Sequence, residues 1–364
     1  MNIAFYVDEM NYRGVANQTF QLAFYNEKIL RNKSYIFYNK KNYRNKKDVI
    51  KKFKKKFIIN GVSKFKEIEN FQDKYQIDFL YTQKSGNKDN WYSKKIKTLV
   101  HAAYPQKLTQ QHGFKYAYVS EWLSKNFSNK KIPFIPYIVE MKNTKRNLKK
   151  FLKIKKHIVF GCHGGESSFD LKFAQDVCKK LVNKRKDIIF LFLNINKFHN
   201  HPRIKFLKGT TDENQKKKFI NTCDAMIYAR SLGESFGLAC AEFDLNNKPI
   251  ISYRFNRHKN HKFNASENRF YEYGSFNELY SLLFNFNKKP YFISKSKYKE
   301  YSANKVMKDF RKIFLKNDLK VNFDLSDYIT NHLSFLKMNY RYLRHKIYNH
   351  YYNFLESKFI NIID

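Results

Sequence analysis

The chain has 364 residues, 43% of them hydrophobic and 18% aromatic, and carries a formal net charge of +40. That length suits two domains of roughly 150 to 180 residues each, and the apolar share excludes a globally disordered chain. The charge excess is almost all lysine, alongside much Asn, Ile, Tyr and Phe, residues with A/T-rich codons; it attracts anionic lipid, nucleic acid or phosphorylated substrates in general and names none of them.

The opening MNIAFYVDEM places Asp8 and Glu9 directly after a short apolar run. A signal peptide needs a basic start and a longer apolar core, and no apolar run approaches the roughly 18 to 20 residues of a membrane span. A cytoplasmic chain is expected, soluble or peripheral on the inner face of the membrane. Residues 3–7, 35–38, 77–81, 98–101 and 116–120 read as strands, with a helix over about 16–30 after the first. The lysine-dense stretch 40–56 reads as a solvated helical face. Residues 140–156, charged and strand-poor, read as a linker.

A second alternation follows: strands at 157–161, 188–193, 204–207, 225–228 and 249–253, with helices over about 168–183, 215–223 and from 237. The expected fold class is α/β, with two Rossmann-like doubly wound domains facing a central cleft and a basic helical C-terminal tail. The expected boundaries are 1–145, 146–316 and 317–364. Ligands of such sheets sit at the carboxyl ends of the strands. Cys162, Cys178, Cys223 and Cys240 lack any paired short spacing and read as small buried residues, not as a disulfide or zinc framework.

The most informative stretch is residues 224–252, DAMIYARSLGESFGLACAEFDLNNKPIIS. An apolar strand enters the polar turn ARSLGES, and FGLACAE then opens a helix. A helix start preceded by glycine offers unpaired N–H groups and a positive dipole end, suited to a diphosphate. Glu234 lies in the turn and Glu242 lies eight residues on, about two helical turns below it. Carboxylates accept hydrogen bonds from vicinal sugar hydroxyls; the plainer reading makes both ordinary capping and surface residues.

The string GESFGLACAEFDLNNKPII resembles the signature of the retaining GT-B glycosyltransferases, the large family that includes bacterial mannosyltransferases and sucrose-phosphate synthases. By that resemblance Glu234 contacts the donor sugar and Glu242 the ribose. Ser235 and the N–H groups of Phe236, Gly237 and Leu238 face the sugar and diphosphate. Two departures mark a divergent member: Phe-Asp-Leu-Asn-Asn follows Glu242, and Arg230 stands where small residues are common. VFGCHGGESSFD resembles the first strand and loop of the nucleotide-binding domain, with Cys162 at the usual Arg position. His163, Lys172 or Arg230 would then substitute, with Gly164 either approaching phosphate or making a simple turn. Arg13-Gly14 resembles the glycine loop after the first strand, and His101 a histidine beside the donor sugar; their plainer readings are a surface arginine and a structural strand-end histidine.

The resemblance implies sugar transfer with retention from a nucleotide-diphosphate-sugar donor to a glycan or lipid-linked acceptor. The donor is a substrate, and no metal or cofactor is called for; the absence of any Asp-x-Asp agrees. The competing readings are a nucleotide-sugar epimerase of the same fold, a degenerate transferase, and a basic non-catalytic protein binding nucleic acid or membrane. No nucleic-acid module, Walker loop or serine nucleophile elbow is present, so no specific nucleic-acid partner is expected. The tail segment KMNYRYLRHKIYNHYYNF either rests on an anionic membrane surface or packs back on the domains.

Overall fold

The computed structural model describes residues 1–154, 156–287, 296–316 and 321–359. The chain divides into two compact units, Met1–Glu140 with Lys299–Phe335, and Met141–Tyr298 with the residues from Leu336 onward. Each is built on one parallel six-stranded sheet.

The first sheet comprises β1 (Asn2–Val7), β2 (Lys33–Asn39), β3 (Ile58–Val62), β4 (Phe79–Lys84), β5 (Lys97–Ala102) and β6 (Lys115–Tyr118), in the order β3-β2-β1-β4-β5-β6. The inner strand β1 is buried along nearly its whole length, as expected where helices cover both faces and a strand reads as a continuous apolar run. The edge strand β3 is not apparent from the sequence. Its residues, Ile-Ile-Asn-Gly-Val, are half polar and follow a lysine run, and only Val62 is fully buried. Within that run Lys47–Lys54 is a helix that sinks Val49 and Phe53 while lysines 47, 51 and 54 stay in solvent.

The second unit repeats the plan with β7 (Ile158–His163), β8 (Ile188–Leu193), β9 (Ile204–Leu207), β10 (Ala225–Tyr228), β12 (Ile250–Tyr253) and β14 (Phe270–Tyr273), ordered β14-β12-β10-β7-β8-β9. The short strands β11 (Gly233–Glu234) and β13 (His258–Lys259) pair with each other beyond the sheet. The strand order reverses direction between β7 and β10, which lie side by side. Crevices for ligands open at such a switch point, outside the carboxyl ends of the strands. In the first unit that point lies between β1 and β4, and the helix Gly14–Lys28 starts just past β1.

The expected domain limits need correction at the C-terminal side. Residues 299–316, expected in the second domain, complete the core of the first. Val306, Met307, Phe310 and Phe314 are fully buried there, and the Phe310 ring stacks on Phe5 at 6.4 Å. Residues 317–364 do not form a separate extension either, although 317–320 lie outside the described residues. The helix Leu325–Phe359 contributes its first part to one unit and its later part to the other. Apolar periodicity reveals a helix but not the sheet it lies against, so these assignments were out of reach of the sequence.

Candidate functional site

The carboxyl ends of β7 and β10 gather most of the residues singled out in the second unit. Strand alternation sends Cys162 into the core and its neighbour His163 the other way. Cys162 is buried, and burial, with Glu234 nearby, pushes its thiol up to about 12. It presents no charge to any ligand. His163 instead brings its Nε2 to 3.0 Å from Glu242 Oε2, a close contact without hydrogen-bond alignment.

Glu242 is 3% exposed and lies in the helix Leu238–Leu245. Its other oxygen accepts a hydrogen bond from Lys216 Nζ at 2.6 Å. Burial alone would raise the pKa of this carboxyl, but Lys216 and His163 outweigh it and hold Glu242 at about 2. Lys216 stays charged for the reciprocal reason: burial opposes its charge, and Glu242 with Glu213, 2.9 Å away, overcomes that cost. Lys216 is a site residue the sequence did not single out. It is the first of three consecutive lysines in the helix expected over about 215–223, and only the i,i+3 spacing to Glu213 hinted at an ordered role.

Glu234 forms the second centre. Its Oε1 accepts from the Tyr228 hydroxyl at 2.8 Å and from Arg230 Nη1 at 2.9 Å. The turn holding it is tied down on two sides, by Ser231 donating N–H and Oγ–H to Asp170 (2.7 and 2.9 Å) and by Asn256 donating to the Arg230 carbonyl at 2.6 Å. Lys172, another candidate cation, is held by Asp176 at 2.8 Å.

Between the two carboxylates, Gly237 caps the helix with φ +91°, and neither a capping side chain nor an acid closes that end. A Cβ at this position would stand 2.9 Å from His261 Cβ and 3.2 Å from Glu234 Cβ, so glycine is required by conformation and by space together. Phe236 is buried, and its carbonyl accepts from Asn260 at 2.5 Å. Ser235 is half-buried beside it, and Leu238 opens the helix. His261, which the sequence also did not single out, is fully enclosed, and burial holds it neutral with a pKa of about 3. Gly164 continues β7 into a loop, where its carbonyl accepts from Asn194 at 2.6 Å.

Three predicted residues belong to the first unit. Gly14 is the first residue of its helix, and exposed Arg13 precedes it without a capping bond. A Cβ on Gly14 would meet nothing within 4 Å, so packing does not demand glycine there. His101 is fully buried with both ring nitrogens engaged, Nδ1 with the Tyr81 hydroxyl and Nε2 with the Ile135 carbonyl, each at 2.8 Å. A carbonyl only accepts, so Nε2 carries the proton and Tyr81 donates to Nδ1. Burial holds the ring neutral, with a pKa of about 4. As placed, His101 has no nitrogen to offer a sugar, in contrast to the place beside the donor that the resemblance implies. Among the described residues no three His, Cys, Asp or Glu side chains cluster as metal ligands would, and no helix is long and apolar enough to cross a membrane.

No known protein-family pattern and no curated protein sequence matches the chain. Solved structures do. A glycosyltransferase from Rickettsia africae aligns over 92% of this chain and 97% of its own, with 15% identity and a TM-score of 0.55. Anabaena Alr3699/HepE, solved with UDP and glucose, aligns over 93% and 99% at 11% identity and a TM-score of 0.58. A putative UDP-N-acetylglucosamine 2-epimerase from Listeria monocytogenes aligns over 89% and 99%, at 11% identity and a TM-score of 0.57. With its two parallel sheets each in the doubly wound order, the chain has the GT-B fold that these glycosyltransferases share with the Listeria protein.

Proposed function

We propose that the chain is a glycosyltransferase that binds a nucleoside-diphosphate sugar in its second unit and passes the sugar to a glycan or lipid-linked acceptor, with retention and without a metal. The observation that carries this reading is the open helix end at Gly237, flanked by Glu234 and by a buried, ionised Glu242. An open helix N-terminus is an anion site, and a carboxylate on either side suits the hydroxyls of a sugar and a ribose. UDP in the Anabaena protein agrees with a nucleoside diphosphate as the anion.

In this reading Glu242 accepts from the ribose hydroxyls, and Glu234 orients the transferred sugar. The N–H groups of Phe236, Gly237 and Leu238, with Ser235, meet the diphosphate. Arg230, His163 and the Gly164 loop complete the donor side. The acceptor oxygen bonds to the anomeric carbon as its bond to the diphosphate breaks. The acceptor proton leaves on a phosphate oxygen, on the same face. The helix end and nearby cations stabilise the departing charge.

A thermal-shift screen against UDP, GDP, ADP, CMP and their sugar conjugates tests the site, repeated with Glu242→Ala. Saturation to a hundred times Kd adds about 2.7 kcal/mol, so one nucleotide should raise the melting temperature of the wild type by several degrees and leave the variant unmoved. No shift with any nucleotide, or an equal shift in the variant, removes the donor site. Interconversion of a nucleotide sugar without any acceptor would assign the fold's other chemistry, epimerisation.

A further inference from the structure

We infer that the later part of the C-terminal helix is a docking surface for an anionic lipid bilayer; this goes beyond the donor site and does not rest on it. Within the second unit the helix Leu325–Phe359 presents Met338, Tyr342, His345, Tyr348 and Tyr352 to the protein. Met338 and His345 are buried; Tyr348 and Tyr352 pack edge-on against Phe173 at 5.4 and 5.9 Å. With that face engaged, the opposite one should be polar. It carries Leu336, Tyr340, Leu343, Ile347 and Tyr351, each 51–65% exposed.

By the 3.6-residue period these five fall within about 40° of the direction opposite Met338 and form one stripe about 22 Å long. A scattered exposed leucine needs no explanation, whereas an aligned row does. The edges of the stripe are cationic: Lys337 and Arg344 lie on one side and Lys346 on the other, all exposed. No Asp or Glu occurs from Tyr328 to Leu355, against four Lys and Arg.

Those charges select the occupant. A second copy would set the same cations against each other on chains of +40. Nucleic acid would satisfy the cations and leave Leu336, Leu343 and Ile347 in water. An anionic bilayer takes both, with apolar and tyrosyl side chains entering the headgroup boundary and the flanking cations meeting phosphate. The helix lies in the plane of the interface, since it is too polar to cross.

The test is co-sedimentation of the full chain with vesicles of phosphatidylcholine alone and of phosphatidylcholine containing about a third phosphatidylglycerol. The comparison is Leu343→Asn with Ile347→Asn, which leaves the packed face intact. Binding to the anionic vesicles only, weakened at least about tenfold in the double variant with an unchanged circular-dichroism melt, is the expected result. Three outcomes would overturn it: equal binding by both proteins, no binding by either, or a wild-type dimer in sedimentation velocity that the double variant abolishes. Nucleotide-induced thermal shifts, read on the same proteins, report the donor site separately.

Discussion

Replacing Glu242 by Gln keeps the side chain's shape and removes its charge. The folded carboxyl sits at about 2 against an ordinary 4.5. At roughly 1.4 kcal/mol per pH unit, that difference makes its charge worth about 3 kcal/mol. Leaving the partner of a buried ion pair stranded costs about 3–5 kcal/mol, and Lys216 keeps Glu213 at 2.9 Å, which favours the lower end. The raised pKa of Lys216 reports the same attraction and is not added. Because the folded pKa is depressed, the contribution is complete above 4.5 and is lost only as pH falls towards 2. Glu242→Gln should therefore be less stable than wild type by about 3 kcal/mol at pH 7, with a gap at pH 5 no smaller than at pH 8. Urea denaturation followed by far-ultraviolet circular dichroism suits the measurement, since Trp91 and Trp122 both lie in the first unit. A second substitution, Lys216→Met, should recover part of the loss. Equal stability at pH 7, or a gap that narrows between pH 8 and 5, would refute the buried ion pair.

Gly237→Ala should cost about 1–3 kcal/mol, from the positive φ and the approach to His261, and should abolish any nucleotide-induced thermal shift; a variant that melts and binds as wild type would show that the helix end is not what it looks like. His101, His258 and His261 are held neutral by burial at about 4, 3 and 3. Their folded pKa values lie below the ordinary 6.5, so their contribution is complete above 6.5 and is lost as pH falls towards 4 and then 3, by about 1.4 kcal/mol per pH unit for each. Melting temperatures from pH 8 to 4 should hold steady and then fall below about 6.5; a flat profile would contradict the burial.

Much of the fold is legible along the chain because inner parallel strands are continuous apolar runs. Residues 188–193, 204–207 and 225–228 appear as strands in sequence and structure alike. The edge strands β3 and β14 escape because each has one side in solvent and mixes polar residues among apolar ones. The candidate site divides the same way. Gly237, Glu234 and Glu242 announce themselves by local spacing, which a turn followed by a helix fixes. Lys216 and His261 reach the same place from elsewhere in the chain, and no local pattern records that. His101 shows the opposite failure: its order along the chain suggests the donor site, while its two hydrogen bonds serve packing.

The return of residues 299–335 to the first unit bears on how the protein is born. The sheet face carrying Phe5 and Tyr81 is covered by Phe310 and Phe314, which leave the ribosome only after every strand of the second unit. The first unit is thus begun first, and its core is closed only after every strand of the second unit has been made. For the time it takes to synthesise some 170 further residues, on the order of ten seconds or more at about 5–20 residues per second, a half-built sheet holds its aromatic face open. The second unit's strands follow one another without such an interruption and are free to fold in that interval. A nascent chain of this design exposes its stickiest surface longest, and synthesis rate or chaperone supply would set its yield.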